Sequence, residues 1–173
     1  MFYKNNLISY IQISLFFLPI SLVAGSLIIN INIIIFLILS SLYIVINDKI
    51  KISFGPTNLS LSLFFLIIIF SSFLNIEIIG FENFLKSILL IKFYLLYFFL
   101  DILINNNKIE LKKFFKICAF SVFLISIDVI FQFIFGKNLL GFQPHEGRIA
   151  GVFGTEAIAG AYIQKFFIFG LIG

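Results

Sequence analysis

The sequence has no tryptophan, one cysteine, one methionine, one histidine and three prolines in 173 residues. The lone Cys118 sits inside an apolar run without a partner, which leaves no disulfide or thiolate metal site to propose. The lone His145 rules out a metal site built from a histidine cluster. Charge is scarce too. Only 12% of residues are Asp, Glu, Lys or Arg, too few to cover a water-facing surface, and Arg148 is the one arginine. The net charge of +4 does not point to nucleic acid, because the lysines fall in short gaps between apolar runs, where membrane topology explains them.

What is present is hydrocarbon. Hydrophobic residues make up 61% of the chain and the mean hydropathy is +1.17. This is the composition of an integral membrane protein. With 26 phenylalanines, stripes of Phe or Ile are background and carry little positional information. Six apolar stretches stand out, at Leu7–Ala24, Leu27–Ile46, Leu59–Leu74, Phe84–Ile104, Phe114–Phe135 and Ala157–Gly173. Each approaches the ~20 residues that a helix needs to cross ~30 Å of hydrocarbon, and the runs are continuous rather than alternating, which excludes barrel strands. The expected fold class is all-α, a polytopic transmembrane helix bundle, with residues 1–173 forming a single membrane domain among membrane lipids.

Lysines set the expected orientation. Lys4, Lys49, Lys51, Lys108, Lys112, Lys113 and Lys116 share one side if the spans alternate, whereas Glu77, Glu82, Lys137, Glu146 and Arg148 share the other. The positive-inside rule then puts the N-terminus in the cytoplasm and the loop "GKNLLGFQPHEGRIAGVFGTE" outside. Lys4, an apolar core and "LVAGS" before Ser26 also fit a cleavable signal peptide, although the run is long for one, and the downstream topology is the same either way. The last run stops at Gly173 with no basic end, so the chain is expected to be an N-terminal fragment or truncated product of something larger.

Lys92, Asp128 and Lys165 each lie within an apolar run, about 10–14 Å below the outer surface at the rise of a helix. Asp128 and Gln132 share a helix face at i,i+4 spacing. Two interpretations stay open. The lysines snorkel and Asp128 makes one structural ion pair, or the three charges line a polar cavity that opens outward, with Lys92 and Asp128 as partners. Nearer the ends of their run, Lys86 is spaced to pair with Glu82, and Asp101 lies at the level of the opposite, cytoplasmic headgroups.

The stretch "GRIAGVFGTEAIAGAYIQKF" collects the one arginine and four of the eleven glycines. With the preceding loop it combines Gln143, Pro144, His145, Glu146 and Arg148 with Gly136, Gly141, Gly147, Gly151 and Gly154. Glycines permit tight turns, and an arginine offers planar paired donors suited to phosphate. Ala157, Ala159, Gly160 and Ala161 let the sixth helix pack closely. The same residues also suit a packing helix with an arginine anchored at the interface.

"RIAGVFGTEAIAGAYI" resembles the Arg-x-x-Gly-x-Phe-x-x-(Glu/Asn)-x-x-Ala-x-Tyr-(Leu/Ile) signature of bacterial O-antigen ligases and O-antigen polymerases, and "DVIFQFIFGKNLLGF" is similar to the span and loop that lead into it. "LPISLVAGSLIINI" resembles the first turn between helices in one branch of these proteins. Arg148, Gly151, Phe153, Gly154, Glu156, Ala159 and Tyr162 fit the signature, and Asp128 and Gln132 fit the upstream part, giving a motif region at 128–166. Thr155 stands where Asp or Asn is more usual.

The resemblance implies a bundle of ten or more helices, of which this chain holds about six. It also implies that the C-terminal half, with a further arginine and an activating histidine, is absent. His145 lies in the wrong loop to inherit that role. The implied reaction transfers a glycan from an undecaprenyl diphosphate carrier to a hydroxyl of an acceptor glycan or lipid A-core, at the periplasmic face of the bacterial inner membrane. No nucleotide sugar, metal or other cofactor is implied. Arg148 would contact the diphosphate with Lys137 as a weaker helper. Gly151 and Gly154 would shape the turn, and Asp128, Gln132 and Glu156 would orient Arg148 or contact the substrate. The fragment by itself is expected to be inactive. Two other classes stay open: part of a polytopic transporter or flippase whose buried charges line a path, and a non-catalytic membrane subunit.

The lysine asymmetry makes a direct prediction. A reporter fused after Lys113 should read cytoplasmic and one fused after Gly141 periplasmic; the opposite pattern overturns the orientation.

Overall fold

The computed structural model describes residues 2–172 except 48, 145, 146, 155 and 157, and these residues form helices with no strand among them. His145, Glu146, Thr155, Ala157, Gly173 and the side chain of Lys4 lie outside the described residues. In chain order the helices are α1 (Phe2–Val23), α2 (Ser26–Ile46), α3 (Pro56–Leu74), α4 (Ile76–Ile79), α5 (Phe81–Leu89), α6 (Ile91–Asn105), α7 (Leu111–Phe135) and α8 (Ala159–Ile172), with a 3₁₀ turn at Gly151–Phe153. Five segments are long and apolar enough to cross a membrane: Asn6–Val23, Ser26–Ile46, Pro56–Leu74, Phe81–Asn105 and Leu111–Phe135. The chain is an all-α, multi-pass membrane protein.

Local chemistry fixes where these helices begin and end. Pro56 opens α3, where its missing N–H would be unsatisfied in any case. Gly136 closes α7 in a left-handed conformation, φ 72°, with its N–H on the Gln132 carbonyl at 2.9 Å. The fourth apolar run is divided at Leu90, whose backbone stays close to helical, so that α5 and α6 together make one span. Among the described residues α8 covers 14 residues, about 21 Å at the usual rise.

Contacts group the chain into two compact units, one formed by Met1–Ser14 and Ile33–Ile109, the other by Leu15–Asn32 and Glu110–Gly173. The first unit buries Ile11, Phe36, Ile102 and Leu103 and is laced by polar side chains. Buried Asn58 on α3 donates to Asp101 on α6 at 2.8 Å, and Asn105 donates to the other carboxylate oxygen at 3.0 Å. Asp101 is thus held within the protein. Asn106 bonds both the N–H and the carbonyl of Lys51, each at 3.1 Å, tying the connection after α2 to the end of α6. Lys86 donates to Asn83 at 3.2 Å, one turn back on its own helix.

The second unit is built on α7 and α8, which run antiparallel around Cys118, Val122, Ile125, Tyr162 and Phe166. Tyr162 lies beside Ser121, and Phe169 stacks on Phe115 with ring centroids 5.7 Å apart. A Cβ added at Gly170 would sit 3.0 Å from that of Ala119, so the two backbones approach closely there. This register places the first turn of α8 beside the middle of α7, well short of its end at Phe135.

The Asn58–Asp101 contact should be measurable as a coupling. In a double-mutant cycle of Asn58→Ala and Asp101→Ala, unfolding of the purified protein in mixed micelles should give about 1 kcal/mol of interaction energy, within the range of interhelical hydrogen bonds in membranes. Purely additive losses would remove this bond as a source of stability.

Candidate functional site

Asp128 and Gln132 lie one turn apart on the same face of α7, and both are buried, Asp128 at 1% exposure. Hydrocarbon surroundings cannot satisfy a carboxylate or an amide, so each must find partners in the protein. The chain supplies them by turning at Gly136 and running back along this face. Asp128 Oδ1 accepts from the Leu139 N–H at 2.9 Å, and its Oδ2 lies 3.5 Å from the Asn138 amide. Gln132 donates to the Phe142 carbonyl at 3.2 Å and accepts from the Gly151 N–H at 2.7 Å.

Asn138 joins these bonds into one network. Its side chain is buried, donates to the Gly151 carbonyl at 2.7 Å, and accepts from the N–H groups of Leu140 and Phe142 at 3.1 and 2.7 Å. Gly151 is therefore gripped at both its N–H and its carbonyl. It must also be glycine. Its φ is 58°, and a Cβ there would meet Val129 Cγ2 at 3.0 Å and Asp128 Oδ2 at 3.1 Å.

Of the residues singled out from the sequence, the structure brings Asp128, Gln132 and Gly151 together in this buried network. Gly154 follows at the end of the 3₁₀ turn with φ 64°. Arg148, Lys137 and Glu156 are exposed. Lys165 is exposed on α8 and borders a cavity of about 160 Å³ together with Phe153 and Tyr162. Lys92 belongs to the first unit, where it is half-buried with its ammonium 5.2 Å from the centre of the Phe93 ring. The hollow beside Asp128 is a groove of about 370 Å³ lined almost wholly by hydrocarbon. The Asp128 carboxylate accepts from a backbone N–H and lies beside an amide.

One residue escaped the sequence reasoning, and a second has partners it did not foresee. Asn138 stands in the sequence analysis only inside the quoted "DVIFQFIFGKNLLGF", although Asn after a helix-closing glycine is a known source of side chain-to-backbone turns. The Tyr162 hydroxyl lies 3.0 Å from the Pro19 carbonyl and 2.9 Å from Ser121 Oγ, so the tyrosine of the motif ties α8 to both α1 and α7. No local signal points to Pro19 as its partner.

The arrangement is a rigid platform, with polar atoms turned inward and cations at its exposed margin. Gly151→Ala should destabilise the protein more than Gly136→Ala, whose backbone is left-handed at φ 72° with open space at its Cβ. Both need a positive φ, at about 1–2 kcal/mol for an alanine, but only position 151 adds overpacking of about 1–3 kcal/mol. Thermal melting in detergent measures the difference, and equal shifts would show that Val129 and Asp128 yield freely.

No protein-family model, curated protein sequence or solved structure matches this chain, so what the site does follows from its own geometry and from the resemblance of its motif.

Proposed function

We propose that this chain is the N-terminal part of a glycan transferase of the O-antigen ligase or polymerase type, in the bacterial inner membrane with its N-terminus in the cytoplasm. The observation that carries the proposal is the sorting of the motif residues. Asp128, Gln132, Gly151, Ala159 and Tyr162 are buried as scaffold, whereas Arg148 is exposed on the segment that leads into the clamped Gly151 turn. An exposed guanidinium beside so constrained a turn is free to meet a phosphate.

In this proposal Arg148 contacts the diphosphate of an undecaprenyl-linked glycan, and Lys137 adds positive charge nearby. As the glycosyl bond breaks, negative charge grows on the leaving diphosphate. A guanidinium held in place stabilises that charge more than it stabilises the bound substrate, which is the condition for lowering a barrier. Asp128 and Gln132 act through the backbone: they fix Leu139, Phe142 and Gly151, and so the segment that carries Arg148. The acceptor hydroxyl belongs to a glycan or lipid A-core. Glu156 is exposed and available to it. A transporter or flippase is the second reading, favoured by one observation: α8 starts beside the middle of α7, as half-helices do around transported solutes.

The test uses the full-length protein that contains this chain, in vesicles with lipid-linked glycan. Arg148→Lys should keep the yield but lose much of the transfer, because a point charge cannot hold two phosphate oxygens in one plane. Arg148→Ala should lose about thirty-fold to a thousand-fold, equivalent to about 2–4 kcal/mol. Normal transfer by Arg148→Ala would make the arginine an interfacial anchor. Translocation of the lipid-linked glycan without transfer would favour the second reading.

A further inference from the structure

Two connections meet at one end of the first unit. One joins α2 to α3 through residues 47–55, and the other leaves α6 at Asn106. Both follow segments long and apolar enough to cross a membrane, which puts them at headgroup level, where water reaches exposed backbone. Asn106 ties them together: its side chain accepts from the Lys51 N–H and donates to the Lys51 carbonyl, each at 3.1 Å. Two positions further on, Lys108 is held as firmly. Its N–H bonds the Leu103 carbonyl at 2.8 Å, its own carbonyl accepts from the Gln12 amide at 2.9 Å, and Asn107 makes the turn between at φ 54°.

Two lysines are thus fixed by their backbones on either side of one asparagine. Lys51 is exposed and Lys108 half-buried. Among the described residues neither ammonium has an ion-pair partner. The Asp101 carboxylate, one turn before α6 ends, is occupied by the amides of Asn58 and Asn105 at 2.8 and 3.0 Å. Asp48, the one acid in the connection between α2 and α3, lies outside the described residues. Like charges held near each other repel, and an anion between them removes that cost. Each ammonium ends a flexible four-carbon stem, so backbones joined by one side chain let both reach the same phosphate.

The neighbours of the lysines select the kind of phosphate. Along the connection Lys49 and Lys51 alternate with Ile50 and Ile52, and Phe54 follows. Ile52 and Phe54 are 57% and 64% exposed. The Phe54 ring lies 5.3 Å from that of Phe98, which sits about two turns before the end of α6. An apolar surface of side chains therefore runs from the lysines toward the hydrocarbon. Free phosphate would touch only the lysines, whereas a phospholipid matches both surfaces. We propose that Lys51 and Lys108 bind the phosphate of an anionic phospholipid of the phosphatidylglycerol kind, with its chains against Ile52 and Phe54. Lys49 adds positive charge at the rim. The proposal does not depend on glycan transfer.

The sequence has no tryptophan, so Phe54→Trp gives a protein with one indole beside the lysines, and Ile52→Trp repeats the reading from a second position. In vesicles of phosphatidylcholine and phosphatidylglycerol, chain-brominated phosphatidylglycerol should quench each indole more than chain-brominated phosphatidylcholine does at the same mole fraction. Read as relative affinity, the preference should be about five-fold for each lysine. Lys51→Gln with Lys108→Gln should bring it close to equality. Lys112→Gln with Lys116→Gln removes the same charge from the second unit and should leave it in place. Asn106→Ala keeps every charge and should still lower the preference, because it releases Lys51. Equal quenching by the two lipids at both positions would overturn the proposal. Equal losses in the two double-glutamine proteins would do the same, by making the preference a property of the whole charged end, and an unchanged Asn106→Ala would remove the held pair. If inorganic phosphate abolished the preference and chloride at equal ionic strength did not, the lysines would be a site for free phosphate and the lipid would be ruled out.

Discussion

A polar group buried away from water must find a partner in the protein, and the second unit is organised around meeting that demand. Three side chains do so. Asp128 and Gln132 project from α7 one turn apart, and Asn138 lies on the segment that returns to them. Together they satisfy Leu139, Leu140, Phe142 and Gly151, each a residue outside any α-helix. An unmade bond in this setting costs the full desolvation of the group, on the order of 1–3 kcal/mol.

The same logic recurs where helices meet. Burial of apolar surface gives little drive for one helix to choose another within lipid, because lipid tails are equally apolar. Selectivity then comes from a few polar contacts and from close approach. Asn58 and Asp101 join α3 to α6, the Tyr162 hydroxyl reaches Pro19 and Ser121, and Gly170 lets α8 close on Ala119. Pro19 brings no N–H to the ladder of α1, while its carbonyl takes the Tyr162 hydroxyl.

This division of labour changes what a motif residue means. Asp128 and Gln132, which the resemblance would have orient Arg148 or contact the substrate, are at 1% exposure or less turned to backbone. Their effect on any ligand passes through the position of Gly151 and of the segment before it. Arg148, by contrast, has its side chain in the open. Chemistry at the margin and rigidity beneath it is a common plan for sites built on irregular segments, since a charge that wanders by an ångström loses much of its value to a reacting group.

Class and most of the helices are legible from the order of the residues. Hydropathy sums along a chain, residue by residue, so apolar runs mark the spans whatever their neighbours are. Pro56 and Gly136 act within one turn and could be read locally. The glycine-rich stretch could be recognised as constrained, because glycine at such density points to left-handed backbone. It takes the folded chain to show that the segment after α7 folds back, that Asn138 is its hub, that α8 starts beside the middle of α7, and that Asp128 accepts from a backbone N–H. Those facts rest on partners 10 to 19 residues apart in the network and 143 apart for Tyr162 and Pro19. A hydrogen bond needs a distance and an angle, and neither is a property of any one residue's position along the chain.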